Sequence, residues 1–258
     1  MSLYPPPAVR RELELSSVVE IGAKGLRARR VQEWLTFHGH ATAIDAVFGS
    51  ATRKTVQQFQ AARGLPATGR VNQQTWAQLV LPLADAVNAG APQNATFDAA
   101  VLEIARSHLR AHPIELGGDN LGPWVRAYCG EDGPAVRWCA GFVTFVLRQA
   151  SHVTGVPLPI PGSLSCDSLA YQAKERNRFI AGTSIEAGKT SWGSLGSCQI
   201  FLVRHSPSDW THTGFAFSGD GATFATIEGN TNDDGIANGF EVCTRVRSLP
   251  SKDLIALV

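Results

Sequence analysis

The sequence predicts an α+β fold, in which a small three-helix N-terminal domain precedes a larger domain built on an antiparallel sheet. Apolar residues at helical spacing fill residues 24–81, and a stretch rich in Ala, Pro, Gly and Asn follows them. After that stretch, helical patterns come first and four consecutive β-rich runs close the chain, an order typical of α+β proteins. We therefore predict domains at residues 15–82 and 97–258, joined by a linker at 83–96.

The N-terminal domain is predicted to contain three short helices. The apolar face of the first helix consists of residues at positions i, i+3, i+4 and i+7: Val31, Trp34, Leu35 and His38. Ser50 is a candidate N-cap for the second helix and Asn72 for the third, because short polar side chains accept hydrogen bonds from exposed backbone N–H groups. Pro66 ends the second helix, since proline cannot continue it.

The second domain is predicted to begin with helices and end with strands. Thr96 is a candidate cap for its first helix, and residues 138–147 are apolar nearly all round, which is typical of a buried helix. Strands are predicted at Gln199–Val203, Thr213–Phe217, Thr223–Glu228 and Phe240–Val246. The sequence Asp233-Asp234-Gly235, between the last two runs, predicts a turn.

Composition excludes several classes of partner. The chain has 258 residues, 44% of them hydrophobic, and a net charge of only +1, which gives no strong field for nucleic acid or an anionic membrane. No stretch approaches the roughly 20 apolar residues of a membrane span. Residues 1–82 hold ten Lys and Arg against five Asp and Glu, a balance that suits an anionic polymer and that chance explains equally well. We expect a monomer.

The first residues, MSLYPPPAVRRELELSS, do not resemble a signal peptide. No basic segment is followed by an apolar run, and three consecutive prolines would interrupt one. We therefore expect synthesis in the cytoplasm without a signal peptide, and delivery to any extracellular target by another route.

Cys139 is the candidate nucleophile. Thiol catalysis needs a thiolate, a base that generates it and a group that orients the base. Cys139 stands at the predicted start of the buried helix, where the helix dipole lowers a thiol pKa, although a buried core cysteine is the alternative. The other cysteines, at 129, 166, 198 and 243, lie in predicted loops or in and beside strands. We predict mostly unbridged thiols, and leave a Cys129–Cys166 or Cys198–Cys243 bridge open.

His212 is the candidate base, at the start of a predicted strand. His205 is its closest rival, but the residues after His205 predict an exposed turn. Glu228 and Asn230 stand two apart on the next strand and therefore point to the same side. If that side faces His212, either one can accept the imidazole N–H and hold its tautomer. Polar decoration of a strand end is the alternative for both.

Three ordered motifs resemble the CHAP family of cysteine amidohydrolases and peptidases. They are Trp138-Cys139-Ala140-Gly141-Phe142-Val143, His212-Thr213-Gly214 and Glu228-Gly229-Asn230. The resemblance covers roughly residues 97–250 and implies a papain-like fold with Cys139, His212, Glu228 and Asn230 as catalytic residues. Cys198-Gln199 stand where many members of that family have a structural Gly-Asp pair.

The N-terminal domain resembles the peptidoglycan-binding domain type 1 over about residues 22–81. The matching positions are Gly25, Val31-Gln32, Leu35, Gly39, Ile44-Asp45, Val47-Phe48-Gly49, Thr52, Val56, Phe59-Gln60, Gly64-Leu65-Pro66, Gly69, Val71, Thr75-Trp76 and Leu79. Most of these are core, turn and cap positions, so they identify the family without identifying the atoms that touch glycan.

Together the two resemblances imply a cysteine-dependent peptidoglycan hydrolase that requires no metal or organic cofactor. It would be an N-acetylmuramoyl-L-alanine amidase or a stem-peptide or crosslink endopeptidase, with Glu228 favoured as the direct partner of His212. The alternatives are a catalytically inactive wall-binding protein and an amidase for another peptide. Delivery leaves two options open: a phage endolysin released through holin-type holes, or a secreted antibacterial effector with an immunity protein as partner.

Overall fold

The computed structural model describes residues 4–232 and 239–258, which divide into two compact units. The first unit runs up to Asp85 and also contains Ile114–Val136; the second contains Ala86–Pro113 and Arg137–Val258. The sequence had assigned residues 114–136 to the second domain. The turn predicted at Asp233-Asp234-Gly235 lies outside the described residues.

The described residues form an α+β protein, as the sequence predicts. Its helices are α1 (Pro7–Leu13), α2 (Leu26–Phe37), α3 (Ser50–Ala62), α4 (Gln73–Leu79), α5 (Leu81–Asn88), α6 (Phe97–Ala111), α7 (Pro123–Cys129), α8 (Cys139–Thr154), α9 (Cys166–Glu175) and α10 (Gly182–Glu186). Its strands are β1 (Phe179–Ile180), β2 (Gln199–Ser206), β3 (Asp209–Phe217), β4 (Thr223–Thr231), β5 (Glu241–Ser248) and β6 (Lys252–Ala256). In the described part of the chain, no helix has the length and apolar character needed to cross a membrane.

The three helices predicted for the N-terminal domain correspond to α2, α3 and α4. Their predicted apolar faces are buried, with Trp34 and Phe59 fully enclosed, except that His38 is only half-buried. The Asn72 side chain caps α4 by accepting from the Thr75 backbone N–H at 2.9 Å. Ser50 is not a cap: Gly49 occupies the N-cap position and Ser50 is the first helical residue.

The first unit also contains α7, which is distant in sequence from α1 and α2 and contacts them through buried ion pairs and through the Trp124 ring. The Arg126 guanidinium of α7 contacts Glu12 and Glu33 at 2.6 Å each, and Asp132 at 2.8 Å. All four groups are nearly buried, and buried charges are stable only when they are paired. This network attaches residues 114–136 to α1 and α2.

The second unit is built on a six-stranded antiparallel sheet with strand order β1-β6-β2-β3-β4-β5. Helix α8 packs on the sheet, where the Phe142 and Phe215 rings meet edge to face at 5.8 Å. A second apolar cluster, which includes Phe201, Phe224 and Trp192, also belongs to the sheet. The buried helix predicted at 138–147 is therefore part of this core.

Two sequence predictions need correction. The segment predicted as a linker at 83–96 begins as helix, because α5 runs from Leu81 to Asn88 and buries apolar residues that include Leu83 and Val87. Pro82 fits there, since the first turn of a helix lacks backbone partners in any case. Strands β3 and β4 are longer than predicted, so His212 lies inside β3 rather than at its start.

Candidate active site

Cys139 is the first residue of α8 and is almost completely buried. Helix α8 is apolar on nearly all of its faces and is therefore buried in the core. Its N-terminal end lies against the sheet. Backbone N–H groups in the first turn of a helix have no partner within the helix. A negatively charged sulfur at this position is therefore stabilised by those N–H groups and by the helix dipole.

His212 and Glu228 meet on neighbouring strands. His212 Nε2 lies 2.8 Å from Glu228 Oε2, and both side chains are buried. A carboxylate at Nε2 fixes the proton on that nitrogen and leaves Nδ1 to face another group. Nδ1 forms no hydrogen bond of ordinary geometry within the described residues, and the interaction of the ring with Cys139 raises the pKa of His212.

Glycines in two of the motifs allow the close approach of these elements. A Cβ atom at Gly229 would lie 2.9 Å from Phe142 Cβ and 2.9 Å from Trp138 Cζ3, at the start of α8. A Cβ atom at Gly214 would lie 2.8 Å from a backbone oxygen of β4 and 3.0 Å from Glu228 Cγ. Real Cβ atoms do not approach so closely, so glycine at these positions lets β4 pack directly on α8 and β3.

Glu228 is held in its ionised form. Burial acts to raise its pKa, but hydrogen bonds from Arg247 and His212 outweigh burial and lower the pKa to about 2. Thr226 adds a third donor, with its Oγ1 at 2.6 Å from Glu228 Oε1. Glu228 is therefore a charged acceptor at any pH near neutrality, and it stabilises a protonated His212.

Cys139 and His212 have pKa values that favour a thiolate–imidazolium pair. Burial acts to lower the pKa of His212, but its interaction with the Cys139 sulfur and its hydrogen bond with Glu228 raise it to about 9. A hydrogen bond from Cys166 and the charge of His212 hold the pKa of Cys139 well below the usual thiol range, against the opposing effect of burial. The Cys139 sulfur thus favours the thiolate form, which is the reactive form of a thiol.

The Cys166 thiol lies 3.9 Å from that of Cys139. The sequence had placed Cys166 in a loop, whereas it is the first residue of α9, whose cap is the Ser165 side chain. The residues Ser165-Cys166-Asp167 carry a helix-start signal that could have revealed a second cysteine at a helix N-terminus. All five cysteines lie in the described part of the chain, and none of them forms a disulfide.

Asn230 is fully buried next to this site. Its backbone is left-handed, with φ of 55°, at a point where the β4–β5 register shifts between Glu228 and Thr231. Asparagine tolerates this conformation better than most residues. Strand alternation is interrupted here, so Asn230 does not simply repeat the orientation of Glu228, and its catalytic role stays a prediction.

Three other histidines of the second unit lie in different environments. His205 is exposed in the β2–β3 hairpin and contacts Asp209 at 2.7 Å. His108 is buried, and burial lowers its pKa to about 4 despite a hydrogen bond with Gln149. His112 is exposed and contacts Glu241. The pKa of His212, by contrast, is raised by its interaction with Cys139.

Comparison with known proteins supports the assignment of the first unit. Residues 24–79 match the family model for a peptidoglycan binding domain, which confirms the domain predicted from sequence. A comparison with curated proteins finds no match.

Two solved structures are similar to parts of the chain. The crystal structure of the SleB N-terminal domain is 31% identical and covers 26% of this chain and 93% of its own, with a TM-score of 0.25. The crystal structure of a Burkholderia AP3 phage endolysin is 21% identical and covers 66% of this chain and 71% of its own, also with a TM-score of 0.25.

Proposed function

We propose that this protein is a peptidoglycan hydrolase that cleaves an amide bond with Cys139 as the nucleophile. The observation that supports the proposal is the buried hydrogen bond between His212 and Glu228, together with the effect of His212 on the pKa of Cys139, in a chain that also contains a peptidoglycan binding domain. A thiol at a helix start, a histidine and a buried carboxylate are the three parts that thiol-dependent acyl transfer requires.

In the first half of the reaction, the Cys139 thiolate attacks the carbonyl carbon of the scissile amide. Backbone N–H groups at the start of α8, including that of Cys139, stabilise the oxyanion that forms. The His212 imidazolium then donates its Nδ1 proton to the amide nitrogen, the C–N bond breaks, and the amine leaves a thioester on Cys139. Glu228 keeps the ring oriented, because it accepts from Nε2 throughout.

In the second half, neutral His212 takes a proton from water, which attacks the thioester carbonyl. The C–S bond breaks, a carboxylic acid is released, and the thiolate–imidazolium pair is restored. The raised pKa of His212 and the lowered pKa of Cys139 both favour this resting state. Asn230, fully buried beside the site, is the fourth proposed catalytic residue.

The substrate class follows from the first unit. A wall-binding domain raises the local concentration of substrate by tethering the enzyme to it. The amide is therefore in peptidoglycan, either at the lactyl–alanine junction or in the stem peptide or its crosslink. The lytic role is that of a phage endolysin or a secreted antibacterial effector; the effector role would require an immunity protein in the producing cell.

The test is mass spectrometry of soluble products from purified peptidoglycan, digested with wild type, Cys139→Ala and Cys198→Ala. Cys198 is also a buried cysteine, and burial raises its pKa, so it is a matched control with no proposed role. We expect products from wild type and Cys198→Ala, and none from Cys139→Ala. Stem peptides beside intact glycan identify an amidase, and split crosslinks identify an endopeptidase.

Two results would contradict the proposal. Full activity in Cys139→Ala would exclude the cysteine mechanism. No new product from wild type, together with retained binding to sacculi, would favour a catalytically inactive wall-binding protein.

A further inference from the structure

The sulfur atoms of Cys139 and Cys166 form a buried pair 3.9 Å apart. Cys139 is 4% exposed and Cys166 is 8% exposed. Each is the first residue of its helix, α8 and α9, so two helix N-termini meet at the two sulfurs. Both helix starts favour negative charge on sulfur, which is the form in which thiols react.

We propose that Cys139 and Cys166 form a redox-active dithiol, in which a hydroperoxide oxidises Cys139 and Cys166 then closes a reversible disulfide. Oxidation of the two thiols to a disulfide does not depend on the proposed function. Its consequence for activity rests on the proposed function, because the disulfide would remove the proposed nucleophile.

The first step depends on the thiolate character of Cys139. The thiolate attacks one oxygen of hydrogen peroxide, the O–O bond breaks, and Cys139 becomes a sulfenic acid while hydroxide leaves. The His212 imidazolium neutralises that hydroxide. Cys198 has the opposite character, because burial raises its pKa, so it stays a thiol that reacts poorly with peroxide.

The second step depends on how Cys139 controls Cys166. A hydrogen bond to Cys139 and burial both raise the pKa of Cys166, so Cys166 is a thiol while Cys139 is a thiolate. Oxidation converts the charged sulfur of Cys139 into a neutral sulfenic acid and removes the first of these two effects. The Cys166 sulfur then attacks the Cys139 sulfur, the S–O bond breaks, and water leaves with the thiol proton.

The electrons and atoms balance over the two steps. The two cysteines lose two electrons, and the O–O bond of one hydroperoxide accepts them. The sulfurs must move about 1.9 Å closer to reach the bond length of about 2.05 Å. Cysteine has one side-chain torsion, and rotation at two first-turn positions supplies movement of this size.

Cys166 should also protect Cys139 against irreversible oxidation. A lone thiolate in contact with peroxide proceeds to sulfinic acid, which simple thiols do not reverse. A resolving thiol intercepts the sulfenic acid before that step. Cys166 would therefore convert an irreversible loss into a reversible one.

The test is peptide mapping of the full chain after treatment with hydrogen peroxide and alkylation of the remaining thiols. Trypsin cuts after Arg137, Arg148 and Lys174, which places Cys139 on peptide 138–148 and Cys166 on peptide 149–174. In wild type we expect these two peptides linked by a disulfide and separated by dithiothreitol. In Cys166→Ser we expect no linked peptide, and Cys139 carrying two added oxygens that dithiothreitol does not remove.

Cys243→Ser is the matched control, because Cys243 is a partly buried cysteine on β5 outside the dithiol. It should form the linked peptides as wild type does. Wild-type peptide 138–148 that becomes sulfinic without any linked peptide would overturn the proposal, as would a Cys139 that stays unoxidised at peroxide levels that modify Cys243. The assay contains no peptidoglycan, so its failure is distinct from a failure of the proposed hydrolase.

Discussion

Arg247 binds Glu228 through both carboxylate oxygens, with Nε 2.6 Å from Oε1 and Nη2 2.5 Å from Oε2. The same Oε2 atom contacts His212, so Arg247 acts on the imidazole through the carboxylate. Paired donors of this kind are among the stronger hydrogen bonds in proteins. Arg247 is therefore the residue that keeps a buried Glu228 charged, and through it the protonated state of His212.

Replacing Arg247 by Met should move the acidic limb of the activity profile to higher pH. Glu228 would lose two charge-assisted hydrogen bonds, each worth about 1.5–3 kcal/mol, and burial would then raise its pKa. We expect the limb to move by at least about one pH unit, since one unit corresponds to about 1.4 kcal/mol. The measurement is kcat/KM on soluble muropeptides between pH 4 and 10.

Arg204→Met is the matched control for this variant. Arg204 is exposed to a similar degree and pairs with a buried carboxylate, Asp253, at 2.9 Å on neighbouring strands. The Arg204→Met variant should be less stable than wild type, but the acidic limb of its activity profile should not move. Equal pH profiles for the two variants would show that Arg247 has only a structural role.

The alkaline limb should follow the pKa of His212. That pKa is raised to about 9, so the imidazolium and the activity that depends on it persist below pH 9 and are lost above it. The same sign holds for stability: the contribution of the charged pair is present at low pH and is lost as pH rises through about 9. Replacing Glu228 by Gln removes the carboxylate and should move this limb toward pH 6.5, the ordinary value for histidine.

Glu241→Gln is the control for the alkaline limb. Glu241 also contacts a histidine, His112, but that histidine is exposed and has no role in the proposed mechanism. Its replacement should leave the limb near pH 9. A limb unchanged in Glu228→Gln would mean that another group titrates.

Replacing Gly229 by Ala should separate β4 from α8. The added methyl group would lie 2.9 Å from both Phe142 Cβ and Trp138 Cζ3, and overpacking of this kind costs roughly 1–3 kcal/mol. Because Glu228 precedes Gly229, we expect turnover to fall further than stability alone explains. In Gly193→Ala the added methyl group would lie an ordinary 3.8 Å from Ser191 Oγ, so turnover and stability should stay unchanged there. Activity is measured at a temperature where both variants remain folded.

Short-range sequence patterns predicted the helix and the two strands that carry the candidate site. The apolar run after Cys139 predicted a buried helix that begins near this residue, and α8 begins at Cys139 itself. The β-rich runs around His212 and Glu228 predicted neighbouring strands, and these strands bring the two side chains together. Such features depend on periodicity within ten or so residues, which a sequence displays directly.

Contacts set by long-range register were not predictable in this way. Arg247 reaches Glu228 because β5 pairs with β4 in a register that places Cys243 opposite Glu228. A shift of one residue would turn every side chain of β5 to the other face of the sheet. Cys166 reaches Cys139 only because α9 and α8 begin at the same place, and no spacing between the two cysteines reveals that.

The buried charge network of the first unit should dominate its stability. Replacing Arg126 by Met removes the cation that Glu12, Glu33 and Asp132 share and leaves them only the more exposed Arg29 and Arg30. Breaking a buried ion pair typically costs about 3–5 kcal/mol. Burial already raises the pKa of Glu33 against the opposing effect of Arg126, so the loss of Arg126 raises it further. A carboxyl with a raised pKa destabilises the fold as pH rises through that pKa. The variant should therefore be weaker at pH 8 than at pH 5 in urea denaturation.

Arg70→Met is the control, because the Arg70–Glu20 pair is largely exposed and should contribute less than about 1 kcal/mol. Similar midpoints for the two variants would show that the buried network contributes little. Tethering by the first unit could be tested by deleting the N-terminal helices, but the buried network complicates that test. Deleting residues 1–90 removes Glu12 and Glu33 but leaves Arg126 and Asp132, so the truncated chain would lose two acidic partners of Arg126 as well as the tether. Point changes on the exposed surface of α2 or α3 avoid that ambiguity, because they leave every partner of Arg126 in place.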